Sequence, residues 1–273
     1  MSEILRLKSV GLAANGPVLT LSLARGQSVA IVGPAASGKT RLLRYMSGQE
    51  APPTGQVELM AKGCWPAPVK DKKATPQQLA RTGSQAGQTN RATEALNATR
   101  LWDHRQTPIS ELSPSQVVAC EMLHALSCED GLICSDGHLD HLDPWALRSV
   151  FALVRNRLAS GCSAAFVTNR PDVVEQCDLV VVVHKGEVRH AGRVQDLGKK
   201  TRHELEVVSE RQVGVRALVA PFGIDVHENG ESLILHAQDG QQLAAKLLLE
   251  GYGDVKYIVH RQPTVEECLL GLI

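Results

Sequence analysis

The chain has 273 residues and no formal net charge, because 29 lysine and arginine residues balance 29 aspartate and glutamate residues. This length suits one large domain or a large domain with a small one, and the balanced charge argues against a nucleic-acid partner. No apolar run approaches the ~20 residues that span a bilayer, and no secretory signal is visible. The seven cysteines are scattered without a C-x-x-C pair, which predicts reduced thiols in a cytosolic protein.

The first third of the chain predicts short strands and few helices. Residues 3–32 alternate between apolar and polar side chains, which is typical of antiparallel strands. A further strand is predicted over 56–60, after a Pro-Pro-Thr-Gly turn. Residues 61–92 are polar and predict loops with a short helix near 76–81, followed by a second helix over 92–102.

A phosphate-binding loop is predicted directly after the apolar strand 28–32. Its spacing is G-x-x-x-x-G-K-T, and its residues are Gly33, Pro34, Ala35, Ala36, Ser37, Gly38, Lys39 and Thr40. A glycine-rich loop at a helix N-terminus aims backbone N–H groups at one point, and the helix dipole adds attraction for anions. In this pattern the lysine reaches the outer phosphates and the threonine holds magnesium. The chain is therefore expected to bind a nucleoside triphosphate.

Helices and strands alternate in the middle of the chain. The predicted elements are a helix over 116–126, a strand over 131–136, a helix over 144–159 and strands over 162–168 and 179–184. Such alternation predicts an α/β fold with a mainly parallel, doubly wound sheet. Together with the phosphate loop it indicates a P-loop NTPase, and the N-terminal strands predict an additional antiparallel β subdomain.

The pattern changes in the last quarter of the chain. Residues 203–273 predict the order strand, helix, strand, strand, helix, strand and a final helix, with the hairpin signal Asn229-Gly230 between the two middle strands. This order resembles a split βαβ sandwich. We therefore expect a nucleotide-binding domain over 1–198 and a small α+β domain over 199–273.

Four stretches downstream of the phosphate loop form a set with consistent order and spacing. They are Leu112-Ser113-Pro114-Ser115-Gln116, Leu132-Ile133-Cys134-Ser135-Asp136, His141-Leu142-Asp143-Pro144 and Val167-Thr168-Asn169-Arg170. As a set they resemble the L-S-G-G-Q, strand-Asp, S-x-L-D-P and V-T-H-D motifs of the ATP-binding subunit of an ABC transporter. The tail around 264–269 is similar to the C-terminal extension of export-type (ABC-2) subunits.

The resemblance implies ATP and Mg²⁺ as cofactors. In the family, ATP lies between the phosphate loop of one subunit and the L-S-G-G-Q helix of a second. By this resemblance Asp136 and Thr40 hold magnesium. Gln85 is the loop glutamine that senses the γ-phosphate and joins the metal site, with Gln88 as the alternative.

Two catalytic positions depart from the family pattern. Gly137 stands where the family has the glutamate that polarises the attacking water, and glycine has no side chain to act as a base. His138 and Asp140 are the neighbouring candidates to replace it. Asn169 stands at the switch histidine; it can donate a hydrogen bond to the γ-phosphate but cannot carry charge. We therefore expect no intact catalytic residue and weak or absent hydrolysis.

The signature helix and the adenine site also differ. Pro114 and Ser115 replace two glycines, so one backbone N–H is lost and a side chain is added where close approach is needed. Ser113 is either a γ-phosphate contact, as the resemblance implies, or simply the N-cap of a helix with proline at its first position. No aromatic residue precedes the phosphate loop to stack on adenine; Leu12 or Val18 offers only apolar contact.

The resemblance implies a function and partners. We expect the ATP-binding subunit of an export-type ABC transporter, cytoplasmic and peripheral on the inner face of the cell membrane. Its partners would be a membrane-spanning permease and a second ATP-binding subunit, identical or different. The alternative is a non-transport, nucleotide-dependent regulatory or scaffold pseudo-ATPase, which the short stretch between 85 and 112 favours. An ordinary P-loop kinase or GTPase is a third alternative, and the absence of the N-K-x-D guanine motif from the sequence argues against a GTPase.

Overall fold

The computed structural model describes residues 2–13, 16–83, 89–200, 203–222, 224–237, 239–250 and 255–273. Contacts divide the chain into two compact units, Met1–Val194 with Ile273, and Gln195–Leu272. Each unit has a hydrophobic core of its own. The assignment of 1–198 and 199–273 as separate domains stays a prediction. Among the described residues, no helix is both long enough and apolar enough to cross a membrane.

Two sheets build the first unit. Its strands are β1 (Glu3–Gly11), β2 (Val18–Ala24), β3 (Ser28–Val32), β4 (Thr54–Leu59), β5 (Lys62–Cys64), β6 (Gly131–Asp136), β7 (Ser163–Val167), β8 (Leu179–His184) and β9 (Glu187–Arg193). One sheet has the order β5-β6-β7-β3-β8-β9 and is parallel except where β8 meets β9. The other, β2-β1-β4, is antiparallel. The predicted mainly parallel sheet with an antiparallel β subdomain is confirmed.

The centre of the parallel sheet is fully covered. Every residue of β3 and of β7 is buried, as expected for strands with helices on both faces. Because β6, β7 and β3 are parallel neighbours, their carboxyl ends meet at one edge of the sheet. The phosphate loop, the loop after Asp136 and the loop after Val167 therefore lie side by side, where ligands bind in open α/β sheets.

Six α-helices are described in this unit. They are α1 (Lys39–Met46), α2 (Pro76–Gly83), α3 (Thr89–Ala98), α4 (Pro114–Leu126), α5 (Pro144–Ala159) and α6 (Pro171–Val174). The helix predicted over 92–102 begins and ends earlier as α3. Arg100, just beyond its end, adopts φ 58°, and a left-handed residue stops an α-helix.

The segment 61–92 contains two features that the sequence analysis missed. Its first residues form β5, a three-residue strand that pairs with β6. Cys64 in β5 is disulfide-bonded to Cys128, which follows α4. The expectation of reduced thiols is therefore wrong for this pair. Cys120 and Cys128 are both buried, and burial raises the pKa of Cys120 to about 12.

The disulfide is expected to contribute measurably to stability. The sequence separation of 64 between Cys64 and Cys128 corresponds in the chain-entropy model to about 4 kcal/mol. Urea unfolding of the wild-type chain should show this loss when a reductant is added. The variant with both Cys64→Ser and Cys128→Ser is the control, and it should be insensitive to the reductant. Equal stability of the wild type with and without reductant would contradict the prediction.

The second unit is an antiparallel sheet covered by helices. Its elements are β10 (His203–Ser209), α7 (Gln212–Val219), β11 (Asp225–Asn229), β12 (Ser232–Ala237), α8 (Gly240–Glu250), β13 (Val255–Arg261) and α9 (Val265–Leu270). The strand order is β11-β12-β10-β13. Apolar residues of α7 and α8, such as Val215 and Leu247, share one core with Leu205 and Leu235 of the sheet. The predicted split βαβ order of elements is confirmed.

A capping box at the start of α9 predicts a pH effect. Glu267 Oε2 accepts a hydrogen bond from Thr264 N at 2.8 Å, and Glu267 N donates to Thr264 Oγ1 at 3.2 Å. These bonds, with Arg261 beside the carboxylate, lower the pKa of Glu267. A lowered carboxyl pKa gives stability that is present above the ordinary value of about 4.3 and is lost as pH falls through the folded value.

Glu267→Gln is the variant that isolates this term. The difference in free energy of unfolding between wild type and variant should be largest near neutral pH and should shrink as pH falls below about 4. Urea unfolding at several pH values measures it. A difference that does not change with pH would show that the charge of Glu267 is irrelevant to the cap.

Candidate functional site

The phosphate loop connects β3 to α1 and depends on glycine at its first position. Gly33 adopts φ 148°, and a Cβ there would lie 1.9 Å from the carbonyl oxygen of Val183. Gly38 precedes α1 as its N-cap and makes no side-chain cap. The first N–H groups of a helix have no partner within the helix, so the start of α1 offers donors to an anion.

Ser37 is a second sign of phosphate recognition. It is only 3% exposed, and among the described residues nothing forms a hydrogen bond with its hydroxyl. Buried hydroxyl groups in folded proteins are normally hydrogen-bonded. A loop built to receive phosphate oxygens accounts for this orphaned donor, and the residues present therefore fit the predicted nucleotide.

Lys39 lies against its own loop. Its Nζ donates to the carbonyl oxygens of Gly33 at 2.6 Å and Pro34 at 2.7 Å. Burial lowers the pKa of Lys39, while the carboxylates of Asp136 and Asp140 act in the opposite direction. The ammonium group is thus partly desolvated and sits where the loop begins, close to two carboxylates.

The structure brings two of the three predicted magnesium ligands together. Thr40 Oγ1 donates to Asp136 Oδ1 at 3.2 Å, so the hydroxyl after Lys39 and the carboxylate at the end of β6 are in direct contact. Hydroxyl, carboxylate and phosphate oxygens are the hard ligands that Mg²⁺ prefers. The third predicted ligand, Gln85, and its alternative, Gln88, lie outside the described residues.

Asn169, at the end of the loop after β7, faces the first peptide of the phosphate loop. In one orientation of its amide, Oδ1 accepts from Gly33 N at 3.3 Å. Turned by a half rotation, Nδ2 donates to Gly33 O at 2.8 Å and to Thr168 O at 3.1 Å, which satisfies both ends of the amide. In that orientation Asn169 and Lys39 donate to the same carbonyl oxygen.

A cavity of about 470 Å³ opens beside the phosphate loop. It is lined by Leu12, Ala36, Ser37, Gly38, Lys39, Thr40, Arg41, Arg44, Glu50 and Gly186. None of these lining residues is aromatic. Leu12, one of two candidates for the adenine contact, is among them, whereas Val18, the other candidate, is 54% exposed and does not line this cavity.

Ser113 is the N-cap of α4. Gln116 N donates to Ser113 Oγ at 3.4 Å and Ser113 N donates to Gln116 Oε1 at 2.9 Å, with Pro114 at the first helical position. This capping box matches the simpler of the two predicted roles. The other role, a contact to a γ-phosphate held by a second subunit, stays a prediction.

The two candidates to replace the missing glutamate have different neighbours. Gly137 directly follows β6 and adopts a left-handed conformation. His138 Nε2 lies 3.8 Å from Glu121 Oε2 on α4, and burial lowers the pKa of His138. Asp140 instead accepts hydrogen bonds from Thr168 Oγ1 at 2.5 Å and from Asn169 N at 3.2 Å. The sequence analysis did not predict the bonds from Asp140 to Thr168 and Asn169, because a sequence motif does not show which loops are neighbours in the fold.

Comparison with known proteins agrees with this geometry. The sequence profile of the family described as ABC transporter matches residues 18–138, which include the phosphate loop, the signature segment and Asp136. Over this segment the chain is similar to the ABC transporter family. The chain is 26% identical over 284 residues to the Nod factor export ATP-binding protein I of Ralstonia nicotianae, covering 93% of this chain and 87% of that protein. It is 26% identical over 220 residues to the methionine import ATP-binding protein MetN of Brucella abortus, covering 71% and 59%.

Solved structures of ABC transporter proteins share the fold. An ATP-binding subunit of an ABC transporter matches with a TM-score of 0.61 at 20% identity, over 71% of this chain and 91% of that chain. A metal-chelate type ABC transporter in an inward-facing conformation matches with a TM-score of 0.61 at 19% identity, over 86% and 96%. The expected P-loop NTPase fold is thereby confirmed.

Proposed function

We propose that this chain is the ATP-binding subunit of an export-type ABC transporter, and that it binds Mg-ATP but hydrolyses it slowly or not at all on its own. The observation that carries the proposal is the convergence of Lys39 and Asn169 on the Gly33 carbonyl, beside the Thr40–Asp136 pair. Two hydrogen-bond donors and two oxygen atoms that can coordinate a metal ion lie close together, which suits a triphosphate and its cation.

Each group has a separate task in this proposal. The bound cation would neutralise charge on the phosphate oxygens. Thr40 and Asp136 hold the cation, with Gln85 as the predicted further ligand. Lys39 binds the outer phosphates and leaves the loop carbonyls to do so, because a charged phosphate oxygen is the stronger acceptor. Asn169 donates a neutral hydrogen bond at the outermost phosphate.

Export as the direction of transport is supported by how far the relatives align. The similarity to the Nod factor export protein covers 93% of this chain, whereas the similarity to the methionine import protein covers 71%. The export-type relative therefore accounts for more of the chain. This supports the export-type proposal that the tail at 264–269 first suggested.

Weak hydrolysis is supported by what the site lacks. Gly137 brings no carboxylate to the position after Asp136, and the loss of a general base costs roughly 10²–10⁴ in rate. Asn169 cannot move a proton at neutral pH as histidine does. Pro114 offers no N–H at the signature helix.

A second ATP-binding subunit with an intact signature would complete the site, and a membrane-spanning permease would hold both at the inner face of the membrane.

A single preparation of the full chain tests both halves of the proposal. Isothermal titration with Mg-ATP measures binding, and phosphate release measures turnover beside an active family member. We expect binding with turnover far below that of the active protein. A folded chain without affinity even for millimolar Mg-ATP would contradict nucleotide binding, and turnover equal to the active protein would contradict weak hydrolysis. Copurification with a polytopic membrane protein from native cells separates a transporter from a regulator.

A further inference from the structure

Asp140 ties together two loops of the site. Its Oδ1 accepts from Thr168 Oγ1 at 2.5 Å and its Oδ2 accepts from Asn169 N at 3.2 Å. Thr168 is only 1% exposed, so one of these bonds is shielded from water. Asp140 N in turn donates to Gly137 O at 3.1 Å, within the turn 138–141. A carboxylate that binds two successive residues fixes the backbone between them.

The backbone that Asp140 holds carries the amide of Asn169. In the amide orientation that satisfies both of its ends, Asn169 Nδ2 donates to Gly33 O at 2.8 Å, and Lys39 Nζ donates to the same oxygen at 2.6 Å. One outer phosphate oxygen could therefore recruit both donors without a large movement of either. A nucleoside diphosphate would engage the lysine and the loop, but it has no third phosphate for Asn169 to reach.

We propose that Asp140 is a positioning residue that makes this site prefer a nucleoside triphosphate over the diphosphate, by holding Asn169 at the outermost phosphate. The inference rests on the proposed function, since it requires that the loop binds a nucleotide. Asp140 acts through Thr168 and Asn169 and does not itself contact a phosphate.

Charge repulsion between Asp140 and the phosphates is the competing effect, and it would lower the affinity for a triphosphate instead of raising it. Asp140 lies close enough to Lys39 for its negative charge to oppose the fall in the Lys39 pKa. A carboxylate in that place would also repel phosphate oxygens. If repulsion dominated, removal of the charge would strengthen triphosphate binding. If positioning dominates, removal weakens it.

The test is isothermal titration of the full chain with Mg-ATP and with Mg-ADP. Asp140→Ala should weaken Mg-ATP binding about tenfold, the value of one lost hydrogen bond to a charged group, and should leave Mg-ADP binding within about twofold. Asp140→Asn keeps one acceptor oxygen and should fall between wild type and Asp140→Ala. Asp172→Ala is the control: its carboxylate binds Arg170 in the same loop, and its ratio of the two affinities should equal that of the wild type.

A double variant shows whether Asp140 acts through Asn169. If it does, adding Asp140→Ala to Asn169→Ala should cause no further loss of Mg-ATP affinity. Additive losses, an unchanged affinity ratio, equal losses for both nucleotides or tighter Mg-ATP binding would each overturn the inference.

Thermal unfolding checks that the variants are folded, and Asp140→Asn replaces Asp140→Ala in the test if Asp140→Ala is not folded. A wild-type chain that binds neither nucleotide would overturn the inference and the proposed function together, whereas binding without an effect at Asp140 would overturn the inference alone.

Discussion

Lys39→Ala is expected to weaken Mg-ATP binding on the order of 10²-fold or more. Lys39 Nζ is the charged donor at the phosphate loop, 2.6 Å from Gly33 O and 2.7 Å from Pro34 O. Hydrogen bonds to charged groups contribute roughly 1.5–3 kcal/mol each, and each 1.4 kcal/mol is about tenfold in affinity. Because the ammonium group is partly desolvated, its hydrogen bonds to a phosphate are stronger than those of a water molecule that takes its place in the variant.

The matching control is Lys62→Ala. Lys62 is an exposed lysine on β5, so its removal takes away the same charge from the same unit without touching the loop. Isothermal titration with Mg-ATP measures both variants, and thermal unfolding checks that loss of the bonds to Gly33 and Pro34 leaves the chain folded. Wild-type affinity in a folded Lys39→Ala variant would mean that the nucleotide binds elsewhere.

Elements with strong local signals were predicted closely. The strand over 131–136 and the helix over 144–159 match β6 and α5, because a short apolar run and an Asp-Pro start are local properties. Asp143 Oδ1 accepts from Trp145 N and Ala146 N, which is the N-cap that the sequence Asp-Pro favours. The phosphate loop was found for the same reason.

What the sequence could not provide was pairing between distant segments. Lys62–Cys64 is short and partly polar, and only its partner β6 makes it a strand. The Cys64–Cys128 bond likewise depends on two segments that meet only in the fold. Asp140 is the corresponding case in the site, since its contacts to Thr168 and Asn169 follow from the adjacency of β6 and β7.

Gly137→Glu is expected to raise phosphate release by roughly 10²–10⁴, the usual contribution of a general base. The structure adds a condition that the sequence did not reveal. A Cβ at Gly137 would meet no atom within 4 Å, so the side chain has room, but the backbone adopts φ 76°. Left-handed backbone costs a residue other than glycine about 1–2 kcal/mol. The variant should therefore gain turnover and lose some stability.

Two substitutions at the same position separate the chemistry from the strain. Gly137→Ala has the strained backbone without a carboxylate, and Gly137→Gln has a side chain of nearly the same shape without the charge. All three should lose similar stability in thermal unfolding, because the φ of 76° penalises every side chain alike. Only the glutamate should raise phosphate release. If Gly137→Glu binds Mg-ATP and is no faster than Gly137→Gln, the missing carboxylate does not limit hydrolysis, and the block lies at Asn169 or at the signature helix.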